Sequence, residues 1–489
     1  MEQRTAGVLL PISALPSQYA IGDFGKEAYQ FIDYLKETSM HIWQILPLNP
    51  LGYGNSPYQP FSSKAGEPLY ISLDLLYEEG YIHKPTYNNS PSSYVDYELI
   101  KKYKAPYFKE AFENFKLDKN LQIGYDTFIK ENDWVYYYAV FYTLKYLNGE
   151  VCWIDWKKED KDWIETKIPL THHQDLVQQN MFLQYIFFKQ WFQLKKYANQ
   201  NDVQILGDLP FYVGIDSLDV WMNQENFLLD ANKNPTYIAG VPPDYFSPTG
   251  QRWGNPIYDW EYLEENDFEF WIDRIHFSSK MYDYIRIDHF RAFDTYWKIP
   301  SRCPTAIEGE WIEAPGFKFF NLLYKKYPSI NIIAEDLGDL RDEVYELRDN
   351  FKLPGMQVIQ FHLNPKKKNP LLENTKNMVI YTGTHDNQTL FSWYLELPFD
   401  TRRNIWTYLV KKGYKEKTID VKILHYCLDS KAKLVIFPIQ DILCMKDEAR
   451  INTPGTLGSP NWEFSLQSFN ELYKNQATLK QLLQQTNRG

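Results

Sequence analysis

Three carboxylic acids each follow a short apolar segment of the chain: Asp288, Glu335 and Asp386. An acid in such a place could simply cap the next helix by accepting a backbone N–H bond. Glutamate is a poor capping residue, however, and capping alone does not explain three acids at three segment ends. Two carboxylic acids that flank a glycosidic bond are the usual means of cleaving it. These residues therefore predict acid-assisted chemistry on a glycoside.

Eight short apolar runs, each bounded by turn or polar residues, alternate with amphipathic stretches, which is the pattern of βα units. Eight buried parallel strands in one chain predict an α/β fold, the (β/α)8 TIM barrel, whose catalytic groups stand at the C-terminal ends of the strands. The three acids then follow the fourth, fifth and seventh strands. The predicted strands are Val8–Leu10, Ile42–Leu48, Val203–Leu209, Tyr284–Ile287, Ile332–Ala334, Gln357–Phe361, Met378–Thr382 and Lys433–Ile439.

Two gaps between predicted strands are too long for plain loops, so residues 1–489 are predicted to form one catalytic domain with insertions around the C-terminal face of the barrel. The first gap, at about residues 50–200 after strand two, carries helical patterns and predicts a mainly helical subdomain. The second, at about 211–283 after strand three, contains residues 240–256, which are rich in turn formers yet include Tyr245, Phe246 and Trp253. That mixture predicts an ordered flap rather than a linker.

The acids of strands four and five are the candidate catalytic pair. Neighbouring strands lie about 4.8 Å apart, so Asp288 and Glu335 can place their carboxyl groups about 5 Å apart, the separation typical of retaining glycosidases. Arg286 lies two residues before Asp288, and alternate residues of a strand share a face. Its guanidinium is expected to keep Asp288 ionised, as a nucleophile must be. Glu335 is predicted to be the acid and base, which requires a pKa raised by burial or by the Asp288 charge.

Other polar residues lie beside these acids in the sequence. Asp386 is predicted to bind the ring hydroxyls of a sugar distorted toward the oxocarbenium shape. His289 and His385 each neighbour an acid. Either could donate hydrogen bonds to sugar hydroxyls or make a purely structural hydrogen bond.

The composition narrows the possible partners. A formal net charge of −11 over 489 residues argues against nucleic acid, which requires clustered Lys and Arg, and an uncharged substrate fits better. The four cysteines stand far apart and no His-Glu-x-x-His is present, so neither a disulfide framework nor a metal site is predicted. No apolar run reaches the length of about 18 residues that spans a bilayer, so a cytoplasmic protein with no membrane partner is predicted.

The chain resembles a known family, the 4-α-glucanotransferases, also called amylomaltases or disproportionating enzymes, which form glycoside hydrolase family 77. The resemblance covers nearly the whole chain, from Leu9 to Trp462. The motifs that carry it are Tyr53-Gly-Asn-Ser-Pro-Tyr58, Gly207-Asp-Leu-Pro-Phe-Tyr-Val213, Gly240-Val-Pro-Pro-Asp-Tyr-Phe246, Gly250-Gln-Arg-Trp-Gly-Asn-Pro256, Arg286-Ile-Asp-His-Phe-Arg291, Ala334-Glu-Asp-Leu-Gly338, Pro354-Gly-Met356 and Tyr381-Thr-Gly-Thr-His-Asp-Asn387.

The resemblance implies a (β/α)8 barrel that moves α-1,4-glucan segments between malto-oligosaccharides or larger glucans by double displacement, without a cofactor. It implies that Asp288 is the nucleophile, Glu335 the acid/base and Asp386 the third carboxylate. It places five residues in the donor-sugar pocket, namely Tyr53, Asp208, Arg286, His289 and His385. It places the flap residues Tyr245, Phe246 and Trp253 on the acceptor side.

Two positions depart from the family pattern. Ala292 stands where the family usually has glycine, and the ending Asn461–Leu466 lacks the usual aromatic–Arg pair. The extra N-terminal domains of longer relatives are absent, so the chain is expected to be the short form. Two alternatives stay open, an α-amylase-like retaining hydrolase built on the same acids and a non-catalytic glucan-binding barrel. The sequence indicates neither protein partners nor an oligomeric state.

Overall fold

The computed structural model describes residues 4–87, 92–243, 247–363 and 376–489. These ranges contain twelve strands and nineteen α-helices. The strands are β1 Thr5–Leu9, β2 Ile42–Gln44, β3 Gln204–Leu209, β4 Tyr237–Val241, β5 Gln251–Pro256, β6 Tyr284–Ile287, β7 Thr295–Pro300, β8 Glu310–Glu313, β9 Ile332–Ala334, β10 Gly355–Val358, β11 Met378–Tyr381 and β12 Leu434–Pro438. The helices are α1 Lys26–Thr38, α2 Leu73–Glu78, α3 Tyr97–Leu117, α4 Tyr125–Glu131, α5 Trp134–Leu147, α6 Lys158–Lys161, α7 Trp163–Thr166, α8 Gln174–Gln200, α9 Leu218–Met222, α10 Trp260–Glu265, α11 Glu269–Met281, α12 Gly316–Lys326, α13 Asp342–Asn350, α14 Ile359–His362, α15 Leu390–Glu396, α16 Phe399–Lys411, α17 Ile419–Leu428, α18 Ile439–Ile442 and α19 Asn470–Gln485.

Eight strands form one parallel sheet in the order β10-β11-β12-β1-β2-β3-β6-β9. The two ends of this sheet meet, because the Ala334 N–H at the end of β9 donates to the carbonyl of Pro354, just before β10, at 2.8 Å. The fold is therefore the predicted (β/α)8 barrel, and all eight predicted parallel strands are present in it.

Three barrel strands differ from their predicted bounds by more than one residue, and the first of them begins at Thr5 rather than Val8. The second strand ends at Gln44 rather than Leu48, and the sixth is Gly355–Val358, after which Ile359–His362 turns into α14. The physical reason is that an apolar run marks burial and not backbone conformation, so a buried strand and the buried residues that follow it look alike in sequence.

The barrel interior is tightly packed. Every residue of β1 and of β12 is buried, and burying one Val, Leu, Ile or Phe side chain contributes roughly 1.5–3 kcal/mol. Gly7 of β1 faces Ile42 of β2 so closely that a Cβ at Gly7 would lie 2.5 Å from the Ile42 carbonyl oxygen. Glycine is thus required there for the close approach of the two strands.

Seven helices, α2–α8, lie between β2 and β3 in the described residues. The longest, α8, packs against α1, α3, α4, α5 and β3. Two buried glutamines of α8 hold the segment that follows β2. Each exchanges a pair of hydrogen bonds with the backbone of that segment, as a neighbouring β-strand would. Gln184 exchanges hydrogen bonds of 2.8 and 2.9 Å with the backbone of Gly66, and Gln190 exchanges bonds of 2.7 and 3.2 Å with Ser72. This pairing fixes the segment between β2 and α3 to the helical insertion.

The residues predicted as a flap belong to a second, antiparallel sheet with the order β5-β4-β7-β8. The hairpin β4–β5 lies between β3 and β6, and its partners β7 and β8, which were not predicted, follow β6. The sequence Thr295-Tyr-Trp-Lys-Ile-Pro300 is rich in strand-forming residues and could have indicated β7. Trp253 lies on β5, whereas Tyr245 and Phe246 lie outside the described residues. We call β4, β5, β7 and β8 the flap sheet.

The C-terminus closes the N-terminal end of the barrel. The final helix, predicted over Leu466–Gln485, is α19, which packs against α1 and α17. Beyond it the buried Arg488 guanidinium donates to four backbone carbonyls at 2.5–3.0 Å, those of Thr5, Leu428, Ser430 and Ala432. No helix in the described part of the chain is long and apolar enough to cross a membrane.

Replacing Arg488 by Met is expected to lower the free energy of unfolding by about 3 kcal/mol, because several buried carbonyls lose a charged donor and a lost hydrogen-bond partner costs roughly 1–3 kcal/mol. The measurement is the urea midpoint of unfolding. Arg488→Lys, which keeps the charge and part of the donor set, is the control and should lose less. Equal midpoints for the Met variant and the parent would show that Arg488 does not stabilise the barrel.

Candidate active site

The three predicted acids stand at the C-terminal end of the barrel. Asp288 directly follows β6, Glu335 directly follows β9, and Asp386 lies in the loop after β11. Asp288 and Asp386 line one cavity of about 590 Å³, together with His289, His385, Trp253 and Trp462. We call this cavity the acidic cleft. Its volume is in the usual range for small-molecule sites.

Arg286 joins two acids at the floor of the site. Its Nη1 contacts Asp208 Oδ1 and Oδ2 at 2.8 and 2.7 Å, and its Nη2 contacts Asp288 Oδ1 at 3.0 Å. Asp208 and Arg286 are buried, while the Asp288 carboxyl remains one-third exposed, at 33%. Burial raises the pKa of Asp208, and the Arg286 charge opposes that effect. A single buried guanidinium therefore serves both carboxylates.

Tyr58 connects this pair to the loop after β11. Its hydroxyl donates to Asp208 Oδ2 at 2.7 Å and lies 3.3 Å from His385 Nδ1, and its ring stacks on His385 at 4.8 Å. Tyr53, which belongs to the same motif, is the residue predicted from the sequence, whereas Tyr58 is not predicted. Tyr53 is 74% exposed and lines a different cavity, of about 810 Å³, between the helical insertion and the barrel. It is not among the described residues that line the acidic cleft.

Glu335 is held by backbone donors. The His289 N–H donates to Oε2 at 2.7 Å and the Leu337 N–H donates to Oε1 at 3.0 Å. Burial, with a smaller contribution from the negative charge of Asp288, raises the pKa of Glu335 to about 7, against the opposing effects of the Arg286 charge and the two N–H donors. A carboxyl group with this pKa carries a proton in a large fraction of molecules near neutral pH, so it can donate one and take it back.

His289 has an unusual backbone conformation, with φ 53° and ψ 46° in the left-handed region. This conformation costs energy for a non-glycine residue and often marks a functional site. Here it accompanies the bond from the His289 N–H to Glu335. The ring meets Trp253 edge-on at 4.9 Å, and burial lowers the pKa of His289 to about 4, so the imidazole is neutral. Its Nε2 has no hydrogen-bond partner in the described part of the chain.

Asp386 is positioned by residues far along the chain that are not predicted from the sequence. Asn452 Nδ2 donates to Asp386 Oδ1 at 2.6 Å, and Arg450 Nη2 donates to the Asp386 carbonyl at 2.6 Å. His385 Nε2 lies 3.5 Å from Asp386 Oδ2. No spacing rule connects residue 386 with residues 450 and 452, so only the fold could reveal these partners.

The ending that departs from the family pattern also contributes to the cleft. Trp462 lines it, and Asn461 organises the preceding loop by accepting from the Thr453 N–H at 2.8 Å and donating to Thr456 Oγ1 at 2.9 Å. The other departure, Ala292, is fully buried in the turn after Asp288, where its N–H donates to the His289 carbonyl at 3.0 Å.

Cationic side chains tie together the loops that carry Asp288 and Glu335. Arg341, which follows Glu335, contacts both carboxyl oxygens of Asp294 at 2.6 and 2.9 Å. Arg291, which follows Asp288, donates from Nη1 to the carbonyl of Asp339, which follows Glu335, at 2.7 Å. The Arg291 guanidinium also lies 3.7 Å from the ring centre of Trp311 on β8. The flap sheet therefore contacts the loop of Asp288 directly.

Asp386 lies in the loop of residues 382–390. Two further acids, Asp441 and Asp447, accept hydrogen bonds from the ends of this loop. The buried Asp441 accepts from Thr382 Oγ1 at 2.5 Å and from the Leu390 N–H at 2.7 Å, so it joins the two ends of the loop. Asp447 accepts from the Thr389 N–H at 2.9 Å. Asp441 is therefore a positioning residue for Asp386.

Replacing Asp441 by Ala is expected to lower kcat by about 100-fold, because a displacement of about 1 Å in a reacting group can have an effect of that size. KM should change less. Asp441→Asn keeps a carbonyl oxygen as an acceptor and should retain most of the activity. The measurement is kcat and KM with maltotriose, with the urea midpoint as a check on folding. A folded Ala variant with unchanged kcat would contradict the positioning role.

The fold and the cleft define a class of protein, a (β/α)8 enzyme that presents carboxylic acids to a glycosidic bond. The 4-alpha-glucanotransferase model of glycoside hydrolase family 77 matches residues 10–470. The chain is 41% identical over 479 residues to the 4-alpha-glucanotransferase of Thermus thermophilus, covering 95% of each chain, and 41% identical over 486 residues to that of Synechocystis sp., covering 96% of each. The chain belongs to the 4-alpha-glucanotransferase family, and it transfers α-1,4-glucan segments from a donor to an acceptor.

Solved structures agree with this assignment. An amylomaltase from Streptococcus agalactiae, in complex with acarbose, superimposes with a TM-score of 0.94 at 36% identity over the full length of both chains. An amylomaltase from Corynebacterium glutamicum, at 17% identity, shares the fold with a TM-score of 0.75 over 98% of this chain and 75% of that one.

Proposed function

We propose that the enzyme transfers glucan segments by double displacement with retention, with Asp288 as the nucleophile and Glu335 as the acid/base. In the first step an Asp288 carboxylate oxygen attacks the anomeric carbon, and Glu335 gives its proton to the departing glycosidic oxygen. Arg286 Nη2 contacts Asp288 Oδ1 at 3.0 Å, which fixes the position of the carboxylate. The predicted carboxyl separation of about 5 Å remains part of this proposal.

In the second step the ionised Glu335 takes the proton of an acceptor hydroxyl, whose oxygen attacks the anomeric carbon and releases Asp288. The same group therefore serves first as an acid and then as a base, as microscopic reversibility requires. A pKa of about 7 suits both tasks, because the protonated and the ionised forms of Glu335 are both populated at neutral pH.

The donor sugar is proposed to lie between Asp288 and Asp386. Asp386 and His385 face the cleft and can bind adjacent ring hydroxyls. The neutral His289 ring offers Nε2, which lacks a partner in the described residues, as a hydrogen-bonding group for another hydroxyl. Asp208 and Tyr58 support this pocket through Arg286 and His385. Donors and acceptors are proposed to be malto-oligosaccharides and larger α-1,4-glucans.

The observation that carries this proposal is the pairing of a protonatable Glu335 with an Asp288 held by Arg286. The test is to incubate Glu335→Gln with a glucosyl fluoride, which needs no acid to leave, and to search tryptic peptides by mass spectrometry. We expect a glycosyl mass increase on the peptide that contains Asp288. Labelling of a different acid, or no labelling of an enzyme that still consumes the fluoride, would contradict the assignment.

Transfer rather than hydrolysis is proposed to depend on the acceptor side of the cleft. Water at roughly 55 M competes with the acceptor for the intermediate, so acceptor binding and exclusion of water must favour transfer. Trp253 is proposed for this task, and the support is that its ring is half-buried in the cleft beside His289 and that its carbonyl accepts from Gln59 Nε2 at 3.2 Å. The same role is predicted from sequence for Tyr245 and Phe246.

Replacing Trp253 by Ala is therefore expected to raise the ratio of hydrolysis to transfer by about tenfold, while the first glycosylation step changes less. The assay counts glucose and transfer products from maltotriose by chromatography. Trp406→Ala removes a 38% exposed tryptophan from α16, outside the cleft, and is the matched control. A folded Trp253→Ala variant that loses activity but keeps the parental ratio would exclude a role in keeping water out. If the parent enzyme forms only products shorter than maltotriose, that result would favour the hydrolase alternative.

A cytoplasmic location is also proposed. It is supported by the four free cysteines, two of them buried, which suit a reducing compartment. Fractionation of the producing cells tests it directly, since activity recovered outside the cytoplasmic fraction would contradict this location.

A further inference from the structure

A third cavity, of about 500 Å³, lies beside the barrel. It is lined by residues 62–64, the start of α5, residues 218–226 and parts of α10 and α11, and we call it the side cavity. It shares no lining residue with the acidic cleft. The two are nevertheless in contact, because Arg274 of the side cavity donates to the carbonyls of Pro210 and Phe211, which line the cleft, at 2.8 and 3.1 Å. The volume is in the range of ordinary ligand sites.

The lining of the side cavity combines apolar faces with hydrogen-bonding groups. Three aromatic rings are half-buried there, those of Tyr137, Tyr262 and Phe270, and three asparagines face the same space: Asn223, Asn226 and Asn266. A sugar ring has the complementary surface, since its axial C–H groups pack on an aromatic face while its hydroxyls bind amides and carboxylates.

Asn226 is the most informative of these residues. It is only 9% exposed, and its backbone N–H and carbonyl are bonded to Asn223 and Asp259. Its side-chain amide, by contrast, has no hydrogen-bond partner among the described residues, although it lines the cavity. An occupant of the cavity that both donates and accepts hydrogen bonds would satisfy this amide.

The charges of the side cavity select against anions. Its two cations already have partners, since Lys64 contacts Asp273 at 2.5 Å and Arg274 is bound to carbonyl groups. Four further carboxylates line the cavity: Asp133, Asp219, Glu225 and Glu269. An ammonium ligand would satisfy the carboxylates but has no acceptor for the amide N–H groups of Asn226. Hydroxyl groups satisfy both.

We propose that the side cavity binds a neutral saccharide, a short α-1,4-glucan, at a site separate from the acidic cleft. The bound sugar stacks on the half-buried aromatic rings, donates hydroxyl protons to the carboxylates and completes the hydrogen bonds of Asn226. Since Arg274 contacts the wall of the cleft, occupancy of the side cavity supports the wall formed by Pro210 and Phe211.

The test uses full-length Asp288→Asn, which leaves maltotriose intact, labelled with 5-fluorotryptophan. Trp134 lines the side cavity, whereas Trp253 and Trp462 line the acidic cleft, so their fluorine resonances report on the two sites separately. Each resonance is assigned from its Trp→Phe variant. On titration with maltotriose we expect a saturable shift at Trp134 with a millimolar midpoint that differs from the midpoint at Trp253.

Asn226→Leu and Tyr262→Ala are each expected to weaken the binding seen at Trp134 by at least about tenfold and to leave the Trp253 curve unchanged. Tyr473→Ala, which removes a 44% exposed tyrosine from α19, is the matched control and should change neither curve. Circular dichroism checks folding, and either of the two cavity variants suffices if the other does not fold.

Three results would overturn the proposal. A Trp134 resonance that does not move with maltotriose means that no saccharide binds there. A Trp134 shift that survives both cavity substitutions, or follows the Trp253 midpoint, means that the signal is transmitted from the cleft. A saturable shift with putrescine but none with maltotriose means that the cavity accepts amines instead.

Discussion

Glu335→Gln is expected to lower the rate of the first step with maltotriose by a factor on the order of 10³, the usual contribution of a general acid. With a glucosyl fluoride the loss should be about tenfold or less, because fluoride leaves without protonation. The measurement is the rate of the first step for both donors in the same variant. The physical basis is the placement of the Glu335 carboxyl, held by the His289 and Leu337 N–H groups.

Asp288→Asn is the contrasting variant, since loss of the nucleophile removes the intermediate whatever the leaving group, and both donors should fail. The pH dependence gives an independent check. Glu335 must be protonated to act as the acid, and its pKa is about 7, so kcat/KM for maltotriose should be retained below pH 7 and fall above it. With the fluoride donor and Glu335→Gln this limb should vanish. Equal losses with both donors would show that Glu335 is not the acid.

Arg286→Leu is the second substitution expected to have a large effect, with kcat lowered by about 1000-fold or more. It removes the only cation in contact with Asp208 and Asp288 among the described residues, and an uncompensated buried charge costs roughly 3–5 kcal/mol. The acidic limb of the pH profile should move to higher pH, because loss of the guanidinium charge disfavours the ionised form of the carboxylates that it contacts. Binding of maltotriose should weaken far less than kcat falls.

A stability loss must be separated from the catalytic one. The double variant Arg286→Leu/Asp208→Asn removes the buried unpaired charge together with its partner, so its urea midpoint should recover toward that of the parent. Its kcat should stay low, since Asp288 still lacks the guanidinium. Recovery of kcat in the double variant would mean that Arg286 acts only by neutralising Asp208.

The barrel could be predicted because its strands are buried on both faces and therefore appear as continuous apolar runs. The acids were found for a related reason, since Asp288 and Glu335 each interrupt such a run at its end. The need for a raised pKa at Glu335 follows from its predicted role as the acid. The extent of burial, which is the main cause of the shift, is a property of the fold alone.

Two parts of the site could not be predicted from local sequence. Tyr53 and Tyr58 share one turn-rich motif, and the choice between them depends on Gly54, whose φ of 68° turns the chain where Tyr53 is exposed. The contact between Asn452 and Asp386 joins residues 66 positions apart. Such contacts leave no periodic signal, because they depend on how loops from different strands meet at the mouth of the barrel.

The flap sheet takes its strands from two separate parts of the chain. Strands β4 and β5 precede β6, and strands β7 and β8 follow it. Suppose that only residues 237–256 are replaced by the corresponding residues of a relative. The replacement would disrupt the pairing of Tyr237–Gly240 with Trp297–Pro300. It would leave β7 as an unpaired edge, which is a site for aggregation. Libraries for altered acceptor choice should accordingly exchange residues 237–256 and 295–313 together, as one unit of recombination.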